Sequence, residues 1–480
     1  MAWPWAAAAD ALQLTSADGA LTIEGELLSY DNELFRLNTA AGPITVDGGN
    51  LRCSGAGCPD PSDLVSRASV GGPPEMVHRL MPALLEVFAD TRGLSYQRIF
   101  EKDALASWQL RDAETNRLVA VFEGRVLPAP EAASQLATRQ LDIALSRLPA
   151  KGQVRQDVIA LDALVPIVAP ENPRAMVTIV QLQNLLNGRI TTWDRLGGDA
   201  RDVALHLPDQ LDTQLRRISP KDALRPATRH ATFDALADAV ASDPAALGLV
   251  PYSNIGNAVP LVVSGACGLA TPATRDTIRA EDYPVTEPMF LQRLGARQPK
   301  IVRDFIAFAR SHEAQPVIRA AGFVDQAVGI IPFEDQGDRI ANAVLAAGDD
   351  PDAMIAVRDM IASLMTADRL TLTYRFQDGS SDLDIQSLSN IQRLAETIER
   401  GDFDGREIVF VGFSDGNGPA DGNLRLSIRR AQVVRKAVAA LVRDADVPLT
   451  LSAFGEALPM ACDDTPWGRQ VNRRVEVWVR

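Results

Sequence analysis

At 480 residues, 46% hydrophobic and 23% charged, the chain is too long for one ordinary core and has the composition of a folded multidomain protein. Its net charge of −14 excludes nucleic acid and anionic membrane surfaces as natural partners, because clustered Lys and Arg hold both. No apolar run is long enough to span a membrane, and there is no phosphate-loop lysine motif, metal-spaced histidine cluster or dinucleotide fingerprint, so neither cofactor, metal nor catalysis is expected.

The first ten residues, Met1 to Asp10, are small and Trp/Ala-rich, like the tail of a secretory signal without its basic front. Residues 1–19 are therefore expected to be a leader remnant, and the protein to be exported. Residues 20–60 alternate and turn often, which predicts a small β module; Cys53 and Cys58 flank a pliable glycine loop that can close as a disulfide. Cys267 and Cys462 stand alone, so a bridge between domains and two free thiols remain open alternatives.

From Leu64 the pattern becomes one of alternating strands and helices, that of an α/β layer. The turn from Arg67 to Pro74, rich in glycine, precedes the apolar-periodic run Met76 to Phe88, the geometry that offers backbone N–H groups to an anion. Three stretches, Leu141 to Arg147, Val165 to Pro173 and Gln181 to Gly198, are similar to the substrate-binding proteins of phosphate ABC importers. So are Val240 to Val250 and Phe305 to Phe323. The resemblance implies a two-lobed type 2 periplasmic-binding-protein-like α/β domain over about 61–330, with its second lobe at about 160–260 and a ligand cleft between the lobes. Carried over, the anion loop is Ser69 to Gly72, with Gly71 and Gly72 in it, and Ser146 and Arg147 face the cleft. The second lobe departs from the family: Leu207 to Thr213 offers Thr213 but lacks the expected Arg and Ser-Gly, and it carries Asp209 and Asp212. Phosphate or another small anion, and a body that docks a protein partner and binds no small ligand, are the two readings.

Residues 331–369 are predicted to be a helical connector, with helices around Ile340 to Ala347 and Ala353 to Met365. Leu370 to Phe376 opens the last domain. Its strand Glu407 to Val411 runs into a Gly/Asp/Pro-rich loop that closes at Asn423, read as a helix N-cap. The following helix repeats apolar residues at Leu424, Ile428, Ala431, Val434, Val438 and Leu441, the face expected to pack on the sheet. Asp415 in the loop and Arg430 in the helix can converge on one zwitterion, carboxylate to ammonium and guanidinium to carboxylate.

Gly412-Phe-Ser-Asp415, Asn423 to Ala431, Gly455-Glu456, Pro459 and Asn472 to Glu476 together resemble the OmpA-type peptidoglycan-binding domain, over about 370–480. The resemblance implies an α+β fold, a periplasmic place at the cell wall or outer membrane, and a grip by Asp415 and Arg430 on the diaminopimelate of the peptidoglycan stem peptide. Asn423 and Arg474 would support the site. Phe413 and Ser414 stand where the family has His and Thr. Gly412-x-Ser414-x-Gly416 also matches a nucleophile elbow, but His78, His206, His230 and His312 all precede it, which is the wrong order for that hydrolase fold.

Overall fold

Leu12, Leu14, Phe35 and Leu37 are buried together as the core of a five-stranded antiparallel sheet, in the order Gly42–Asp47, Leu34–Thr39, Thr22–Asp31, Ala11–Ser16 and Leu51–Ser54. The Cys53–Cys58 disulfide follows its last strand. The sheet begins at Ala11, so the part of the expected leader remnant from Ala11 to Ser16 belongs to the β module, where Leu12 and Leu14 are core residues; residues 1–10 lie outside the described residues. The structure, a computed structural model, describes residues 11–480 except 17, 32, 61–63, 103, 210–217, 219–223, 266, 377–381, 444–445 and 464–465. Among the described residues no helix is long and apolar enough to cross a membrane.

The chain divides into two units, Met1–Ile159 with Met289–Ala321, and Ala160–Pro288 with Gly322–Arg480. In the first, Ser66–Gly72 lies between Leu118–Val126 and Ile143–Ser146, parallel to both, and the hairpin of Leu94–Lys102 and Leu105–Asp112 extends the sheet. Helices Met81–Thr91 and Lys300–Arg310 pack through aromatic rings, with Phe305 edge-on to Phe88 and Phe122 at 5.6 and 5.4 Å. The β module is fastened to this layer by charge: Glu33 accepts from the Lys300 backbone N–H at 2.7 Å, and Asp47 pairs with Arg297.

In the second unit, Ala204–Pro208 runs parallel to Thr228–His230 and to Ala246–Pro251, and the last of these pairs antiparallel with Arg155–Val168. The chain then builds a five-stranded sheet in the order Ile330–Ile331, Asp368–Arg375, Arg474–Val479, Ile408–Gly412 and Leu449–Ala453. Helices Ile385–Glu399 and Ala420–Ala439 cover one face, over Ile408, Phe410, Val475 and Val477. On the other face, helices Gly337–Ala347 and Pro351–Leu364 pack on Val409, Val411, Phe413 and Trp478. The expected connector is therefore a third layer, and the strand Ile408–Gly412 is buried along its whole length because both faces are covered.

Asp368–Arg375 alternates apolar and polar residues, the pattern of a strand with one wet face, yet Arg369, Thr371, Thr373 and Arg375 are all buried. The segment around Asp282 covers them. Arg369 holds the Asp282 carboxylate in bidentate fashion at 2.5 and 2.9 Å, and Arg375 donates to the Glu281 carbonyl at 2.6 Å. Burial, reinforced by the nearby Asp384 carboxylate, pushes the Glu281 carboxyl up to about 8 from its ordinary 4.5, against the opposing pull of Arg375.

A raised folded-state pKa means that the unfolded chain ionises Glu281 first, so its contribution to stability is complete below about pH 4.5 and is lost as the pH rises through about 8. Glu281→Gln should therefore melt above the wild type at pH 8.5 and level with it at pH 4. Melting curves for the two chains that run parallel between these pH values would contradict the assignment.

Candidate functional site

Strand Ile408–Gly412 delivers its C-terminal end against helix Ala420–Ala439, where a Cβ on Gly412 would run into the Ser427 carbonyl, so only glycine admits this approach. The loop that follows is clipped in place: Phe413 N–H donates to Arg474 O and Ser414 N–H to Gly455 O, both at 2.8 Å. The helix starts earlier than expected, with Pro419 at the N-cap and Asp421 in the first turn, so Asn423 lies inside it. Its buried face follows the apolar repeat at Ala431, Val434 and Val438 but departs from it elsewhere: Asn423, Ser427 and Arg430 are buried, while Leu424 and Leu441 are exposed. The first half of the helix thus turns a polar stripe inward, toward the loop.

Arg430 is 8% exposed, and its Nη1 is buried without a hydrogen-bond partner among the described residues. The guanidinium stacks over Phe376, its Cζ 5.4 Å from the ring centroid. Burial, and then the like charge of Arg473, push its pKa down to about 10, and Asp415 opposes them. Ser414 Oγ is likewise buried without a partner. Asp415 accepts from Arg473 Nη1 at 2.9 Å. One carboxylate, one buried guanidinium with an unused donor and one unused hydroxyl thus share the end of this sheet. That set suits a small zwitterion whose carboxylate replaces the missing acceptor.

The two residues expected to support the site lie differently. Asn423 Nδ2 donates to Glu456 Oε2 at 3.0 Å, beside the loop. Arg474 is fully buried, with bonds to Glu476 at 2.8 Å and to the Leu458 carbonyl at 2.9 Å, and its guanidinium packs 4.4 Å from the Phe413 ring centroid. Arg474 and Phe413 therefore belong to the core beneath the site. The residue that touches Asp415 is Arg473, one position earlier, which the sequence reading passed over. The signal was available: Val475, Val477 and Val479 fill one core, so Arg474 sits on the opposite face of a strand whose two faces are both covered.

The first-unit residues are all engaged within the protein. Ser69 donates from N–H and Oγ to Asp142, each at 2.8 Å, and Ser146 Oγ donates to the Leu148 carbonyl at 2.9 Å. Arg147 Nε donates to Glu75 Oε1 at 2.9 Å, with side chains 5% and 7% exposed. Gly71 and Gly72 are required by packing, since a Cβ would meet Leu127 and Leu141 in one case and Leu145 in the other. The turn after them presents few N–H groups: Pro73 and Pro74 have none, and those of Met76 and Val77 donate to the Pro73 carbonyl. Thr213 lies outside the described residues.

The lone cysteines resolve as a disulfide, Cys267–Cys462. Among the described residues no group of acidic, His or Cys side chains has the arrangement of a metal site.

The OmpA family model matches residues 375–473. Outer membrane porin F of Pseudomonas fluorescens is 33% identical over 113 residues, which are 23% of this chain and 33% of that protein, so the chain spans about a third of that relative's length. A putative phosphate ABC transporter substrate-binding protein with bound phosphate, from Clostridium perfringens, aligns with 54% of this chain and 99% of its own, at 16% identity and a TM-score of 0.43. The peptidoglycan-associated lipoprotein of Burkholderia pseudomallei aligns with 22% of this chain and 89% of its own, at 26% identity and a TM-score of 0.20. The family model thus makes residues 375–473 an OmpA-type domain at the C-terminal end of a longer chain.

Proposed function

We propose that this is a cell-envelope protein moored non-covalently to peptidoglycan, with Asp415 taking the ammonium and Arg430 the carboxylate of a stem-peptide diaminopimelate. The observation that carries this reading is the Arg430 Nη1, buried beside Asp415 with no acceptor among the described residues. A buried donor left unmade costs about 1–3 kcal/mol, and a ligand carboxylate recovers it. Ser414 Oγ adds a second donor, and Asn423 with Glu456 steadies the entrance. Arg473 holds the Asp415 carboxylate in the unliganded protein, so the incoming ammonium competes with it. Two disulfides suit the oxidising periplasm that such a ligand requires.

For the α/β region we favour docking to an envelope partner over binding a small anion. Glu75 supports that choice, because its carboxylate occupies the Arg147 guanidinium where an oxyanion would have to go. A phosphate entering there would displace a buried ion pair and set Glu75 against a like charge. The protein then acts as a tether, with one end on the wall and an α/β body presented to a partner.

Asp415→Ala or Arg430→Ala should each abolish co-sedimentation with diaminopimelate-type sacculi while leaving the circular dichroism spectrum unchanged; retention in both variants would remove the site. Calorimetric titration of phosphate into the full chain should give no saturable heat, and saturation in the micromolar range would restore the anion reading.

A further inference from the structure

The loop that carries Asp415 is gripped from one side by a residue outside the expected site. Asp463 Oδ2 accepts the Gly416 N–H at 2.6 Å, its Oδ1 accepts Asn472 Nδ2 at 2.8 Å, and its carbonyl accepts Arg469 Nη1 at 2.6 Å. Gly416 follows Asp415 and Asn472 precedes Arg473, so Asp463 holds the sequence neighbours of both members of the Asp415–Arg473 pair. The segment leading to it is pinned as well: Asn472 Oδ1 accepts the N–H groups of Met460 and Ala461 at 2.7 and 3.0 Å.

Cys462 immediately precedes Asp463 and is bonded to Cys267, 195 residues earlier. Cys267 sits in the turn between Val262–Ser264 and Ala270–Thr271, two strands paired antiparallel, and the Gly265 N–H donates to the Leu269 carbonyl across that turn at 2.8 Å. The bridge therefore ties the Asp463 segment to a hydrogen-bonded hairpin of the α/β region within the same unit.

We propose that Asp463 is a positioning residue for the wall-binding loop, and that the Cys267–Cys462 bridge keeps it in register with Gly416. It has no contact with the ligand in this account. It acts by fixing the backbone on which the Asp415 carboxylate is mounted, so that binding does not first have to order the loop. The inference rests on the peptidoglycan reading of Asp415 and Arg430.

The test uses full-length protein with intact diaminopimelate-type sacculi and compares the wild type with Asp463→Asn and with the double variant Cys267→Ser/Cys462→Ser. Asp463→Asn should weaken binding about tenfold, the scale of a lost hydrogen bond to a charged group. Amide hydrogen exchange should rise at Gly416 while strand Ile408–Gly412 stays as protected as in the wild type, a split that general destabilisation would not produce. The double variant should shift both readouts in the same direction. Binding within twofold of the wild type in Asp463→Asn, or exchange that rises equally in loop and strand, overturns the proposal. Wild-type protein that fails to bind sacculi removes the peptidoglycan reading and this inference with it, whereas wild-type binding with an unaffected Asp463→Asn removes the inference alone.

Discussion

Glu476 is fully buried between three guanidinium groups, those of Arg339, Arg369 and Arg474. Burial by itself would raise its carboxyl, but the three cations, Arg339 foremost, overcome this and hold it well below the ordinary carboxylate range. Each of these arginines comes from a different element: helix Gly337–Ala347 of the third layer, strand Asp368–Arg375 and the start of strand Arg474–Val479. Arg369 extends the cluster to Asp282. Charges in such a place are tolerated only when paired, and removing any one leaves the others costly, by about 3–5 kcal/mol for a broken buried pair. The C-terminal five-stranded sheet is thereby committed to its extra helices and to the segment before it. Within this unit the OmpA-family domain is continuous with what precedes it and is not a freely hinged appendage.

Much of this was legible in the sequence. The Asp415 loop and the Arg430 helix fall where the motif spacing puts them, the Cys53–Cys58 loop is closed, and the α/β alternation after Leu64 is present. What sequence patterns could not supply was the identity of the surface that covers each face. Asp368–Arg375 reads as half-wet because its polar residues alternate, and only the buried partners Asp282 and Glu281 show that they face protein. Helix Ala420–Ala439 buries Ala431, Val434 and Val438 as its apolar repeat predicts, but Leu424 and Leu441 are exposed while the polar Asn423, Ser427 and Arg430 are buried. Arg474 and Arg473 are adjacent in sequence and opposite in role, because one strand step reverses the side to which a side chain points. The Cys267–Cys462 pairing spans 195 residues, too far for local pattern to decide.

The two candidate recognition regions end in opposite electrostatic states. Around Arg147 every polar group singled out from the sequence and lying within the described residues has an internal partner. Around Arg430, among the described residues, a buried guanidinium nitrogen and the buried Ser414 hydroxyl have no hydrogen-bond partner.

The most direct measurement is a calorimetric titration of the full chain with two soluble stem peptides, one containing diaminopimelate and one with lysine in its place. Both offer an ammonium to Asp415, and only the first offers a carboxylate to Arg430. Binding of the diaminopimelate peptide at least tenfold tighter is what the account predicts. Equal affinity for both, or binding of neither, would contradict it.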